Sequence, residues 1–143
     1  MLTGTQIAAA ASALADYPIT SLGMNCATGP SDMAENVAWL SHNWPRHVSV
    51  LPNAGIPTLV QGRTSYPLGP EPFAEAMMKF VREQRLSIVG GCCGTTPRHI
   101  EALVRALDGV KSTGREPTRG TPISRGTPVP PLVPSTTSLY EPV

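Results

Sequence analysis

Three times along the chain a short apolar run leads into a loop rich in Gly or Pro, then into a segment whose apolar residues recur every three or four positions. The first unit runs from Ile19 to Met24, through Asn25-Cys26 and Gly29-Pro30, to a helix with Ser31 as its expected N-cap and Met33, Val37, Leu40 and Trp44 on one side. The second has His47 to Leu51 as its strand, closed by Pro52-Asn53-Ala54-Gly55. A long Gly/Pro loop follows, then a helix beginning near Pro70 with Phe73, Met77, Phe80 and Val81 on its buried face. The third has Leu86 to Val89 as its strand and Gly90 to Thr95 as its loop. Thr96-Pro97 then forms a matched N-cap and N1 pair for a helix with Ile100, Leu103, Val104 and Leu107. Asp108-Gly109 supplies the stop. An alanine-rich helix, Thr5 to Asp16, precedes the first unit and ends before Pro18.

One helix followed by three strand-helix units, with every strand short and apolar, is the pattern of a parallel sheet covered by helices. The expected class is α/β. Three strands cannot close a barrel, and an eightfold barrel takes about 250 residues, so a barrel reading makes this chain one part of a larger architecture.

The pattern ends at Gly109. From Val110 to Val143 there are seven prolines (117, 122, 128, 130, 131, 134, 142) among Ser, Thr and Gly, too little apolar area to offset the entropy of ordering. The expected division is a folded unit over 1–109 and a disordered Pro-rich linker over 110–143. Within the linker Arg119-Gly-Thr-Pro122 repeats as Arg125-Gly-Thr-Pro128, a period too short and too polar for a solenoid.

Charge excludes one class of partner. Residues 1–109 hold seven Lys or Arg against eight Asp or Glu, so no nucleic-acid footprint is expected. No apolar run reaches the roughly 18 residues of a membrane span, and the N-terminus lacks the basic flank and apolar stretch of a secretion signal. The expected setting is soluble and cytoplasmic, where the three cysteines stay reduced.

Those cysteines are the chemically loaded residues. Cys26 follows the first strand, and Cys92 and Cys93 follow the third, in Gly90-Gly91-Cys92-Cys93-Gly94. In a parallel α/β arrangement the C-terminal strand ends share one edge, which also faces the functional crevice. Adjacent residues in an extended strand point to opposite faces; the flanking glycines are expected to free the backbone so that Cys92 and Cys93 turn toward one point. Three thiolates with an open fourth position suit a catalytic zinc. The competing readings are buried structural thiols, since free cysteine packs as a small hydrophobe, and a redox pair, disfavoured because there is no Cys-X-X-Cys. His42, His47 and His99 have no ligand-like spacing and are expected to be surface or helix-face residues.

Three segments together carry a resemblance. Gly23-Met-Asn-Cys26-Ala-Thr-Gly-Pro30, Pro52-Asn-Ala-Gly-Ile-Pro57 and Val89-Gly-Gly-Cys-Cys-Gly-Thr-Thr-Pro97, in this order and with compatible gaps over residues 1–109, closely resemble successive motifs of the homocysteine-binding domain of cobalamin-dependent methionine synthases. The tail with Ser138-Leu139-Tyr140 looks like the segment leading from that domain toward a folate-binding domain.

The resemblance implies the last three strands of a (β/α)8 barrel, with the N-terminal half-barrel and the cobalamin and folate domains lying elsewhere in a full-length parent. It implies zinc held by Cys26, Cys92 and Cys93, with Asn53 as a fourth ligand before substrate arrives. Homocysteine would then bind through its thiol and take a methyl group from methylcobalamin on another domain. Related enzymes use betaine or S-methylmethionine as donor; a non-catalytic remnant that binds zinc or a partner chain is the alternative outside the enzyme class. Asn25, beside the first ligand, is a candidate for orienting substrate or for fixing its own loop. Thr95, with the neighbouring N–H groups at the helix start, is a candidate for holding a substrate carboxylate, or for ordinary capping.

Overall fold

A computed structural model describes residues 5–111. The elements are α1 (Ile7–Leu14), β1 (Ser21–Asn25), α2 (Pro30–Asn43), β2 (His47–Leu51), β3 (Thr58–Val60), β4 (Arg63–Ser65), α3 (Pro70–Gln84), β5 (Ile88–Val89) and α4 (Pro97–Leu107). The linker expected over 110–143 lies almost wholly outside the described residues.

β1, β2 and β5 form one parallel sheet in sequential order, with Ser21 opposite His47 and Asn25 opposite Leu51, and with Ser49 and Val50 opposite Ile88 and Val89. The α/β expectation holds. Alternation along the strands sends Val48 and Val50 into the core, with Leu22, Met24 and Val89 packed beside them. Ser21, Gly23, Asn25, His47, Ser49, Leu51 and Ile88 take the other positions, on the opposite face of the sheet.

The core lies on the helical side. Met33, Val37, Leu40 and Trp44 meet Phe73, Ala74, Met77 and Phe80 over Val48 and Val50, and Ala8, Ala11, Ala102 and Leu103 close the cluster at its margins. Full burial of side chains such as Phe73 and Leu40 contributes about 1.5–3 kcal/mol each. Two polar links tie the layer together. The Ser41 hydroxyl donates to the Gln84 carbonyl, one of the acceptors left free at the end of α3. The Arg46 guanidinium stacks over Trp44 and donates to the carbonyls of Ala15, Tyr17 and Ile19, which fastens the α1–β1 connection to the helical layer.

Several local details depart from the sequence pattern. Helix α2 is capped by Gly29 with Pro30 at its first position, so Ser31 lies inside the helix. The third strand is shorter than Leu86 to Val89, and Leu86, partly buried, packs against the core just before it. On α4 the buried face is His99, Ala102 and Leu103, while Ile100 and Val104 are exposed, the latter at 61 %. The long loop after β2 contains the antiparallel hairpin β3–β4, turned by Gln61 and Gly62, both at positive φ in the manner of a type I′ turn.

Candidate metal centre

β1 and β5 deliver their cysteines to the same edge of the sheet. The Sγ atoms of Cys26 and Cys93 are 3.6 Å apart and those of Cys92 and Cys93 3.9 Å, with all three sulfurs within 4.8 Å of one another. Tetrahedral coordination with Zn–S near 2.3 Å requires sulfur separations of about 3.8 Å, so the donor set fits a single thiophilic cation.

The backbone achieves this by means that the glycine count did not show. Cys26 and Ala27 have φ of 61° and 65°, a left-handed pair in residues that resist it. The pair turns the chain out of β1 while the Cys26 N–H donates to Leu51 O at 3.0 Å and the Thr28 N–H to Cys26 O at 2.8 Å. Of the three glycines around Cys92 and Cys93, only Gly94 has positive φ, at 77°. A Cβ there would overlap the ring of Tyr66, so both the turn and the close approach require glycine.

Asn53 is buried at 3 % exposure. Its Oδ1 accepts from the Cys93 N–H at 3.1 Å, and its backbone N–H donates to Thr28 O at 3.0 Å, two residues past Cys26. It therefore links the two ligand loops, which are further joined by Ala54 N–H to Cys93 O at 2.9 Å and Cys92 N–H to Pro52 O at 2.8 Å. Thr95 is turned inward to its own loop: its hydroxyl donates to Cys92 O at 2.6 Å and its N–H to the same carbonyl at 3.2 Å. The Thr96 N–H is also occupied, by His99 Nδ1 at 3.1 Å, and Pro97 has none. The N–H groups considered for a carboxylate are thus engaged within the protein. Asn25 is exposed and lines an open cavity of about 220 Å³ with Gly23, Met24, Ser49, Leu51, Gly91 and Cys92, directly beside the thiols.

The three sulfurs do not share charge evenly. Cys26 is held below the usual thiol range by a hydrogen bond from the Ala27 backbone and by those of Cys93 and Cys92. Cys93 is pushed up by its hydrogen bonds with Cys26 and Cys92, because one thiolate opposes the ionisation of its neighbour. Tyr66 is pushed up by desolvation and then by its hydrogen bond to Cys93. Of this pair, Cys26 ionises before Cys93 in the metal-free protein.

Comparison with known proteins gives the chain a family. A model of the homocysteine S-methyltransferase family matches residues 1–107. The chain is 45% identical over 116 residues to a methionine synthase of Mycobacterium tuberculosis (strain ATCC 25618 / H37Rv), and 46% identical over 118 residues to one of Mycobacterium leprae (strain TN). The chain belongs to the homocysteine S-methyltransferase family. These alignments cover 81% and 80% of this chain and 10% of each relative, so the chain spans about a tenth of the length of the methionine synthases it matches.

Two residues of this homocysteine S-methyltransferase segment escaped the sequence pattern. His99 is a helix-face residue, buried at 6 %, whose structural role the spacing alone did not show. Its Nδ1 accepts from Thr96 N–H, so its Nε2 carries the proton donated to Leu68 O at 2.9 Å; the ring thereby fixes the start of α4 against the segment before α3. The available signal was its position three after the N-cap, where a capping box places a side chain that reaches back. Tyr66 approaches Cys93 from the end of the hairpin, a contact with no sequence periodicity behind it. Among the described residues no helix is long and apolar enough to cross a membrane.

Proposed function

We propose that this chain is the zinc-carrying part of a homocysteine S-methyltransferase, in which Cys26, Cys92 and Cys93 hold the ion and homocysteine is methylated to methionine. The observation that carries the reading is the convergence of three sulfurs, spaced for one tetrahedral cation, at the C-terminal edge of a parallel sheet. When bound, zinc would supply Lewis acidity that favours the thiolate form of homocysteine near neutral pH, with three thiolate ligands keeping that sulfur nucleophilic.

The protein's own residues supply position. Asn53 keeps the two ligand loops in register, and its amide oxygen retains a lone pair beyond the one facing the Cys93 N–H, which suits it as the fourth ligand before substrate arrives. Thr95 stiffens the Cys92 loop, a supporting role in substrate binding. Asn25 faces the cavity beside Cys92 and is assigned to the substrate's polar end.

The proposed architecture is the last three strand-helix units of a (β/α)8 barrel over 1–109, followed by a linker over 110–143. Sequential strand order supports this, because right-handed crossovers between sequential strands put every helix on one side, as in a barrel, whereas doubly wound sheets reverse direction. The other face carries Gly23, Asn25 and Ser49, small and polar residues suited to a barrel mouth. Remaining strands and the domain bearing the methyl donor, proposed to be methylcobalamin, would belong to the full-length enzyme, placed in the reducing cytoplasm.

The experiment supplies the N-terminal half-barrel in trans or by fusion. Zinc-dependent proton release on homocysteine addition, then methionine formation from free methylcobalamin, should appear in the reconstituted protein and be lost in Cys92→Ser. The chain by itself should not turn over, because the loops that align substrate and donor supply much of the barrier reduction. Unchanged activity in reconstituted Cys92→Ser, or full turnover by the chain alone, contradicts the proposal.

A further inference from the structure

Tyr66 stands one residue beyond the hairpin strand β4 and reaches back to the cysteine loop. Two features lock its position. Its ring occupies the space that a side chain at Gly94 would need, immediately after Cys93. Its backbone segment is tied to the same loop, since the Leu68 N–H donates to Ala54 O at 3.0 Å and the Ala54 N–H donates to Cys93 O at 2.9 Å. The half-buried ring is thereby held beside Cys93, the most exposed of the three cysteines, with its phenol within reach of that sulfur, and a phenolic O–H is the donor of such a pair.

Three thiolates around one dication leave a net negative charge on the sulfurs, and Cys93 lies within hydrogen-bonding distance of both others. A donor aimed at that sulfur would disperse charge where crowding is greatest and fix the side-chain torsion of the ligand. Outer partners of metal ligands act in this way, and their removal costs about 10–100-fold in metal affinity.

We propose that Tyr66 is a positioning residue of the metal centre, its hydroxyl donating a hydrogen bond to the metal-bound sulfur of Cys93 while Gly94 keeps the space for its ring. The proposal rests on the zinc reading. It gives the hairpin a purpose: β3–β4 carries the tyrosine to the thiols, which neither ligand strand could do.

The test compares the full chain with Tyr66→Phe, which keeps the ring, and Tyr66→Leu, which removes it. Zinc affinity is measured by competition with a chromophoric chelator, and the sulfur-to-metal charge-transfer band is recorded on the cobalt(II)-loaded proteins. Tyr66→Phe should lose about tenfold in affinity, and its band should move to lower energy because the sulfur has lost a donor. Tyr66→Leu should lose at least as much. The band is read from the loaded fraction, so a loosened fold alone would leave it unmoved. A Tyr66→Phe protein with wild-type affinity, or with weaker affinity and an unmoved band, overturns the proposal and leaves the zinc reading intact. A wild-type chain that takes up neither metal overturns both.

Discussion

Replacing Asn53 with Leu removes the side-chain acceptor that holds the Cys93 loop while keeping the number and branching of its side-chain heavy atoms. The residue is 3 % exposed, its Oδ1 accepts from the Cys93 N–H at 3.1 Å, and its backbone N–H holds Thr28 O at 3.0 Å. Leucine leaves the Cys93 N–H without its partner in a partly buried position, at a cost of about 1–3 kcal/mol. For a protein of this size the urea dependence is about 1.5 kcal/mol per molar, so a loss of about 2 kcal/mol lowers the unfolding midpoint by roughly 1 M. The metal site should suffer further, because its loops lose their common anchor: zinc affinity should fall about 10–100-fold. Urea titration of the metal-free chain, followed by tryptophan fluorescence from the buried Trp39 and Trp44, gives the first number, and chelator competition gives the second. A midpoint within about 0.2 M of wild type would refute the assignment of Asn53 as the loop anchor.

Other perturbations have clear signs. Ala27→Gly should raise stability by about 1 kcal/mol, read as a higher thermal midpoint, because φ of 65° strains alanine and not glycine. Met77→Ala, at a fully buried side chain beneath the sheet, should destabilise by about 2–5 kcal/mol in the same melt. Zinc uptake should strengthen as pH rises. Cys26, held low, gives up its proton more readily than Cys93, which is held high and must surrender its proton to the ion, and each proton displaced on binding corresponds to about tenfold in affinity per pH unit. The linkage for the metal-free fold has its own sign: the depressed Cys26 stabilises above its unfolded pKa and loses that contribution as pH falls through the folded one, while the raised Cys93 opposes it at alkaline pH. A chelator-competition series across pH, and melts of the metal-free protein, check these two statements.

Much of the fold could be read from residue spacing because the helical layer is amphipathic in the ordinary way. Met33, Val37, Leu40 and Trp44 recur at helical intervals and are all buried, and Thr96-Pro97 begins α4 as an N-cap and N1 pair. Periodicity reports that a face is apolar, not what covers it. Hence Ile100 and Val104 share the helical pattern of Leu103 yet remain exposed among the described residues. The hairpin was hidden by its brevity: two three-residue strands around Gln61-Gly62 offer no alternating run long enough to register. At the site, strand-end topology predicted the meeting of Cys26 with Cys92 and Cys93, which distance in sequence conceals. It did not predict how the turn is made. Glycines drew attention because they permit positive φ, but Cys26 and Ala27 adopt it themselves, held by Leu51 and by the Thr28 N–H. Asn53 entered as a fourth ligand implied by the resemblance, and its use as a bridge between loops depends on a partner 40 positions away.

The central claim is that one zinc is held by all three cysteines. Zinc K-edge X-ray absorption on the chain loaded with one equivalent of zinc measures this directly. The account predicts three sulfur scatterers near about 2.3 Å with one lighter oxygen or nitrogen neighbour, and loss of one sulfur in Cys26→Ser, Cys92→Ser and Cys93→Ser alike. Two or fewer sulfurs in the wild-type chain, or a serine variant with an unchanged sulfur count, would contradict it.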